Sequence, residues 1–259
     1  LAEAADGTLG WPLGLIAAPL ELLLSVPYVG RAVGWLWTLG LTLFWSLVRV
    51  PDGLLALAGI LPEKRLRVHV VVPAQAAFDE AAWLAALGVA AGILQREANV
   101  RLVPAAAFQW RRGFGPLIAF GPDCIQRTGG AGGPVDVGCR RRAAIDDLGP
   151  LGGWFDRMAV RHHPRGGFRR LLGWGAPLMA VAVDSVADGS LAGCSLGPLT
   201  DYVTVRANQP VCLAHEIGHA CNLLHVATAG NLMNPTCGGV HLTRGQVALL
   251  RMSRHVTFL

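Results

Sequence analysis

Four residues in the eleven-residue stretch HEIGHACNLLH are of the types that hold a transition metal and move a proton: His215, Glu216, His219 and His225. His215 and His219 are four apart, so on a helix their rings leave one face and can reach a single Zn2+ through imidazole nitrogens. Glu216 follows at the edge of that face, where a carboxylate can take a proton from a metal-bound water instead of ligating the metal. His225 lies six residues past His219, about 600° of helical rotation, and is off that face. For His225 to reach the same ion, the chain must leave the helix between them. Asn222 occupies that point, and after Gly it is the residue that best tolerates the left-handed conformation that ends a helix.

The elements that must position these residues can be read from periodicity. Val211 to Leu224 reads as the helix carrying the motif, preceded by a strand at Tyr202 to Arg206 and followed by a last helix at Thr243 to His255. Upstream, Leu66 to Val72 (LRVHVVV), Val100 to Phe108 and Pro177 to Asp184 read as strands, and Ala76 to Ala98 as an Ala- and Leu-rich helix. Residues 113–175 are rich in Gly, Pro and Arg with little periodicity, too long for a plain connection, and read as an insertion. The expectation is a mixed α/β domain over 62–259, with no internal repeat.

Motif and order together resemble a known family. His215, Glu216, His219 and His225 fit the HExxHxxGxxH signature of the metzincin zinc peptidases, with Asn222 in the glycine place. Eight residues after His225, NLMNP (Asn231 to Pro235) resembles the Met-turn, an interval similar to that of the matrixin branch. GSLAG (Gly189 to Gly193) is similar to the matrixin edge strand, and LTRGQVALLRMSRH to the closing helix. Asn234 departs from the pattern, since matrixins usually have Tyr there. The resemblance implies an α+β, metzincin-like catalytic domain. Its parts would be a mixed, mostly parallel twisted sheet with an antiparallel edge strand, an active-site helix, and a Met-turn and C-terminal helix over 226–259. It implies one catalytic Zn2+ held by His215, His219 and His225, Glu216 as general base, and Met233 as an apolar floor below the metal. Ser190, Leu191, Ala192 and Gly193 would pair with an extended peptide or protein substrate. The activity implied is hydrolysis of peptide bonds by a zinc-dependent endopeptidase, through a zinc-activated water. The competing reading is a zinc-stabilised, membrane-associated binding or assembly module without turnover, for which Glu216 would have no use. An intramembrane zinc peptidase would need its motif inside a long apolar helix, whereas polar loop residues follow this one. Matrixins also have structural Ca2+ sites, but Asp184, Asp188 and Asp201 have no spacing that supports one.

The rest of the chain of 259 residues bounds the setting. Of 22 basic and 17 acidic residues, only Glu3, Asp6, Glu21, Arg31, Arg49 and Asp52 lie in residues 1–61, which read as a hydrophobic membrane-anchor region. Ala32 to Val48 is uncharged between Arg31 and Arg49, close to the roughly 20 residues that cross a bilayer, with Trp35, Trp37 and Trp45 towards its ends. Trp11 to Val29 is apolar but broken by three prolines, so one or two transmembrane helices are expected. Mean hydropathy of +0.44 agrees. Six cysteines beside such an anchor suggest disulfides and a catalytic domain outside the cytoplasm, periplasmic or at the cell surface. Cys212 and Cys221, about 900° apart on one helix, cannot pair; the preferred pairs are Cys221 with Cys237, Cys194 with Cys212, and Cys124 with Cys139. The net charge of +5 comes largely from the insertion, including Arg157 to Arg170 with interleaved aromatics, a candidate surface for anionic lipid. No nucleic-acid-binding module is present, and adjacent His162 and His163 lack a carboxylate partner.

Overall fold

A computed structural model describes residues 19, 23, 26–73, 78–104, 125–127, 136–137, 139, 145, 147–148, 169–186, 191–206 and 209–258. The described strands are β1 (Lys64–Val72), β2 (Val100–Pro104), β3 (Ile125–Arg127), β4 (Asp136–Val137), β5 (Leu178–Ala182), β6 (Ser185–Val186), β7 (Gly193–Ser195), β8 (Tyr202–Val205) and β9 (Val256–Thr257). The described helices are α1 (Val29–Val48), α2 (Val50–Leu57), α3 (Glu80–Ala98), α4 (Pro210–Ala220) and α5 (Arg244–Met252). The fold is α+β around one mixed, mostly parallel sheet in the order β2-β1-β5-β8-β7. β1 is its axis. β2 and then β3 run parallel along one edge of it, while β9, antiparallel, and then β5, parallel, run along the other. β7 closes the far edge antiparallel to β8.

Why LRVHVVV is apolar nearly throughout follows from burial on both faces, and its period of two decides which side chain goes where. Leu66, Val68, Val70 and Val72 join Leu178, Ala180, Ala182, Val203 and Val205 beneath the helices, while Val71, Met179, Val181 and Tyr202 pack on the opposite face. α3 lays Trp83, Ala86, Leu87, Ala90, Leu94 and Ala98 on the first face with the three-four spacing of an amphipathic helix. Asp79 caps α3 by accepting from Ala82 N, and Asn99 ends it with φ 48. Removing the fully buried Trp83 side chain would cost about 3–5 kcal/mol in lost transfer and cavity terms.

The composition changes near Pro62, and the packing crosses that point. Ala56 of α2 belongs to the main core, and the Cα of Gly53 lies so close to Met252 of α5 that a Cβ would meet its Sδ at 2.4 Å. α1 is 20 residues long and apolar enough to cross a membrane by length and composition. It is nevertheless tied to the domain along its length. Trp37 and Trp45 donate their indole N–H to the carbonyls of Leu171 and Leu172, and Thr42 donates to the carbonyl of Pro198. Arg49 donates to the carbonyls of Ser253 and Val256. At the other end, buried Asp147 accepts from Arg31, the Trp35 indole and the Tyr202 hydroxyl. Most of the apolar run from Trp11 to Val29, most of the insertion, His162 and His163 lie outside the described residues.

The cysteine pairing differs from the preferred one. The disulfides among the described residues are Cys139–Cys194 and Cys212–Cys237, and Cys221 is a buried free thiol. The reasons lie in strand alternation and helix rotation. Cys194 points to the face of the sheet away from the helices, where Cys139 packs, so it cannot reach Cys212 on α4. Cys221, opposite Cys212 on the helix, points into the core near Ser253, and burial pushes its thiol up to about 12. Cys212 is the helix residue that faces the segment after Met233. Cys124 lies outside the described residues. Two disulfides and an apolar N-terminal helix are features of an extracytoplasmic or membrane setting.

Candidate metal centre

α4 starts at Pro210, where a missing N–H costs nothing, and buries Leu213, Ala214, Ile217 and Ala220 in the core. That burial fixes the rotation of the helix and leaves His215, Glu216 and His219 on the side towards β7. The helix stops at Ala220. Asn222 follows with φ 72, its N–H donates to the His219 carbonyl at 3.0 Å, and the Leu223 N–H donates to the Gly218 carbonyl at 3.0 Å. This pair of bonds is a Schellman motif, with Asn222 in the left-handed position. Its side-chain oxygen is buried without a partner, so the residue serves through its backbone conformation. The reversal carries His225 back to the helix.

The three histidines meet. Their Nε2 atoms are separated by 3.1 Å (His215 to His225), 3.1 Å (His219 to His215) and 3.0 Å (His219 to His225). Nδ1 of His215 lies 2.7 Å from the carbonyl of Leu232, and Nδ1 of His219 lies 2.8 Å from the carbonyl of Leu223. A carbonyl only accepts, so both Nδ1 atoms carry the proton and both Nε2 atoms present lone pairs. Burial keeps the rings neutral: it lowers His215, and with its two neighbours takes His219 down to about 4. Two lone pairs at 3.1 Å do not attract each other, but both attract a shared cation. Tetrahedral Zn2+ ligands at 2.0–2.1 Å from the ion stand about 3.3 Å apart, within a few tenths of an ångström of the observed triangle. Backbone carbonyls orienting ligating imidazoles through the second nitrogen are the usual support of such a site. The donor set fits a zinc ion.

Glu216 completes the constellation. Its carboxyl is buried, Oε2 has no hydrogen-bond partner, and desolvation pushes it up to about 8. A buried unpaired acid of this kind is costly unless a cation or a polar ligand stands near it. It rests against β7: a Cβ added at Gly193 would meet Glu216 Cγ at 2.8 Å and Oε1 at 2.9 Å, so only glycine fits there. Gly193 and Cys194 thus divide the two faces of the edge strand, one for the acid and one for a disulfide. Below the helix, Met233 is fully buried, and a Cβ on Gly218 would meet its Sδ at 2.6 Å. Met233 N donates to Asn231 Oδ1, and the Asn231 side chain exchanges two hydrogen bonds with Gln246 of α5.

Of the residues singled out in the sequence, His215, Glu216, His219, His225, Met233 and Asn222 come together, with Gly193 of the edge strand beside them. Leu191 forms a bridge to Val186, ahead of β7, and Ala192 accepts from Arg206 N. Ser190 lies outside the described residues, as does Asp188. Asp201 is held by Arg254 and Arg170. Reading the motif alone missed the Leu232 and Leu223 carbonyls, the steric demand at Gly193, and the buried Asn231–Gln246 pair. Only the last had a signal: Thr243-x-x-Gln246 is a capping box, and it places Gln246 at the head of α5. Searches of protein-family models, curated proteins and solved structures found no match to this chain.

Proposed function

We propose that this chain is a zinc-dependent endopeptidase of the metzincin type, closest to the matrixins, working outside the cytoplasm at a membrane. The observation that carries the reading is the convergence of three Nε2 atoms at 3.0–3.1 Å beside a buried carboxylate with an unpartnered oxygen. His215, His219 and His225 would hold the ion, which when bound supplies Lewis acidity and an activated water. Glu216 takes the proton from the attacking water and passes it to the leaving amine, a role that suits a carboxylate shielded from solvent. The outer edge of β7 offers main-chain groups to an extended peptide, which would lie antiparallel to it and pass over the three histidines.

The Glu216→Ala variant tests the assignment. Wild type is expected to bind one equivalent of zinc and to cleave members of a peptide library. The variant should keep its zinc and lose cleavage by 100-fold or more, on the order of removing a general base. Stoichiometric zinc in both proteins with cleavage in neither would instead establish a zinc-stabilised binding module.

A further inference from the structure

We propose that α1 and α2 form a foot lying in the plane of a lipid bilayer, with their outer face in one leaflet, and that α1 does not span the membrane. The inference does not depend on the peptidase reading.

At about 100° per residue, Arg31, Trp35, Thr38, Thr42, Trp45 and Arg49 fall within a stripe about 80° wide. Five of these six make a side-chain hydrogen bond to the domain or receive one from it. Val29, Val33, Leu36, Leu43, Phe44 and Leu47 fall on the opposite side and are exposed, Val29 by 76% and Leu47 by 73%. The helix is therefore inside out for a protein in water: its polar atoms face the protein and its apolar side chains face the medium. That is the polarity of a helix whose outer solvent is hydrocarbon. The apolar surface continues over Leu54, Leu55 and Leu57 of α2 and is flanked by exposed Leu172 and Trp174, the latter stacked edge-on with Trp45. Within α1 the polar group on this side, the Trp37 indole N–H, already donates to Leu171, so no side-chain donor is left with which a protein partner could set a register, whereas protein interfaces carry about one hydrogen bond per 100–200 Å2. Lipid needs none.

Length alone permits a span, since 20 residues make about 30 Å of helix. What argues for the in-plane orientation is the position of the domain. Its bonds to α1 run from Arg31 to Arg49, so it stands beside the helix from end to end. The same domain carries a water-facing ion pair, Arg101–Glu63, only a few residues beyond α2, and an exposed Arg96. A spanning α1 would draw that body into the hydrocarbon. Lying flat, it keeps the charged surface in water and only the outer stripe in lipid, as interfacial helices do. The short 3-10 turn Gly197–Leu199 then couples the foot to the metal centre. Its Pro198 carbonyl accepts from Thr42, and a Cβ at Gly197 would lie 3.6 Å from the His219 carbonyl.

The test uses the full chain with vesicles of equal parts phosphatidylcholine and phosphatidylglycerol. Wild type should float with the vesicles, and the triple variant Leu36→Gln, Leu43→Gln, Leu47→Gln should partition at least about tenfold less. Because these side chains are 64–73% exposed in the protein, far-ultraviolet circular dichroism and the thermal unfolding midpoint should stay at the wild-type level, which reports folding. Nitroxides attached singly through Val29→Cys, Leu36→Cys, Leu43→Cys and Leu47→Cys, in a Cys124→Ser background, then read depth. Similar shallow depths at all four positions are expected. A profile with Leu36 or Leu43 at the bilayer centre and the ends in opposite headgroup layers would overturn the proposal in favour of a span. Wild type that stays in buffer without detergent and does not float would overturn it as well, and its mass would distinguish a second copy from a segment of the same chain as the cover.

Discussion

The candidate metal centre depends on a few residues whose backbone conformation or missing side chain counts for more than their chemistry. Asn222 is one. Its φ of 72 lets Leu223 turn back, and the Leu223 carbonyl orients His219, so turn and ligand are linked through one peptide. An Asn222→Gly variant should keep its stability and zinc affinity, because glycine adopts this conformation without strain. Asn222→Ala should lose about 1–2 kcal/mol of stability, the cost of a left-handed L-residue, and bind zinc more weakly. Titration with a chromogenic chelator measures the second effect, and an alanine variant with unchanged affinity would refute the turning-point role. Gly193 is the other. In Gly193→Ala the new Cβ must displace Glu216 while the three histidines stay in place. Zinc content should hold, and kcat should fall on the order of a hundredfold, the cost of moving a catalytic group by about an ångström. A variant with full activity would mean that Glu216 need not rest against the edge strand.

At the level of elements, the segment that matters most for the histidines is the turn from Asn231 to Met233. It supplies the carbonyl that orients His215 and the thioether packed on Gly218, and it is anchored by the amide pair with Gln246. Asn231→Ala leaves the buried Gln246 amide half unpaired, and a loss of about 1–3 kcal/mol is expected. A double-mutant cycle with Gln246→Ala, read by denaturant unfolding, should give a coupling energy well above zero; additivity would show that the pair does not act as a unit. Much of this layer was legible in the sequence. The histidine spacing required a helix end at Asn222, and LRVHVVV read as a buried strand. What stayed hidden depends on which elements face each other. The disulfide partners follow from Cys194 pointing away from the helices and Cys212 pointing towards the segment after Met233, and no local pattern encodes either direction. Likewise, an apolar stretch of 17 residues between two arginines reads as a span whether its outer face meets lipid edge-on or end-on. The hydrogen bonds from α1 to the domain, from Arg31 with Asp147 to Arg49 with Ser253 and Val256, distinguish the two.

For the molecule as a whole, the joint between the helical foot and the domain is a buried charge cluster. Arg254 donates to Asp201 and, through Nε, to Thr42 of α1; Arg170 also donates to Asp201, and His255 lies 3.7 Å away with its other nitrogen on the Ala176 carbonyl. Burial alone would raise the Asp201 carboxyl, but Arg254, Arg170 and His255 outweigh it and hold it down at about 2. Burial, with Arg254 beside it, takes His255 down to about 4 against an ordinary 6.5, and Asp201 only partly offsets this. Both groups have a folded-state pKa below the unfolded one, so in both windows the unfolded chain binds more protons. Stability contributed by neutral His255 is fully present above 6.5 and is lost as the pH falls towards 4. The share contributed by ionised Asp201 is present above 3.8 and is lost towards 2. Unfolding free energy measured at a series of pH values should therefore decline in two stages on acidification. In a His255→Gln variant the upper stage should be reduced while the lower one remains. An Asp201→Asn variant would leave Arg254 buried without its counter-charge, and a loss of about 3–5 kcal/mol at neutral pH is expected. If that variant unfolded at the wild-type denaturant midpoint, the cluster would not be what locks α1 to the domain, and the foot would be held by its tryptophan and Asp147 contacts instead.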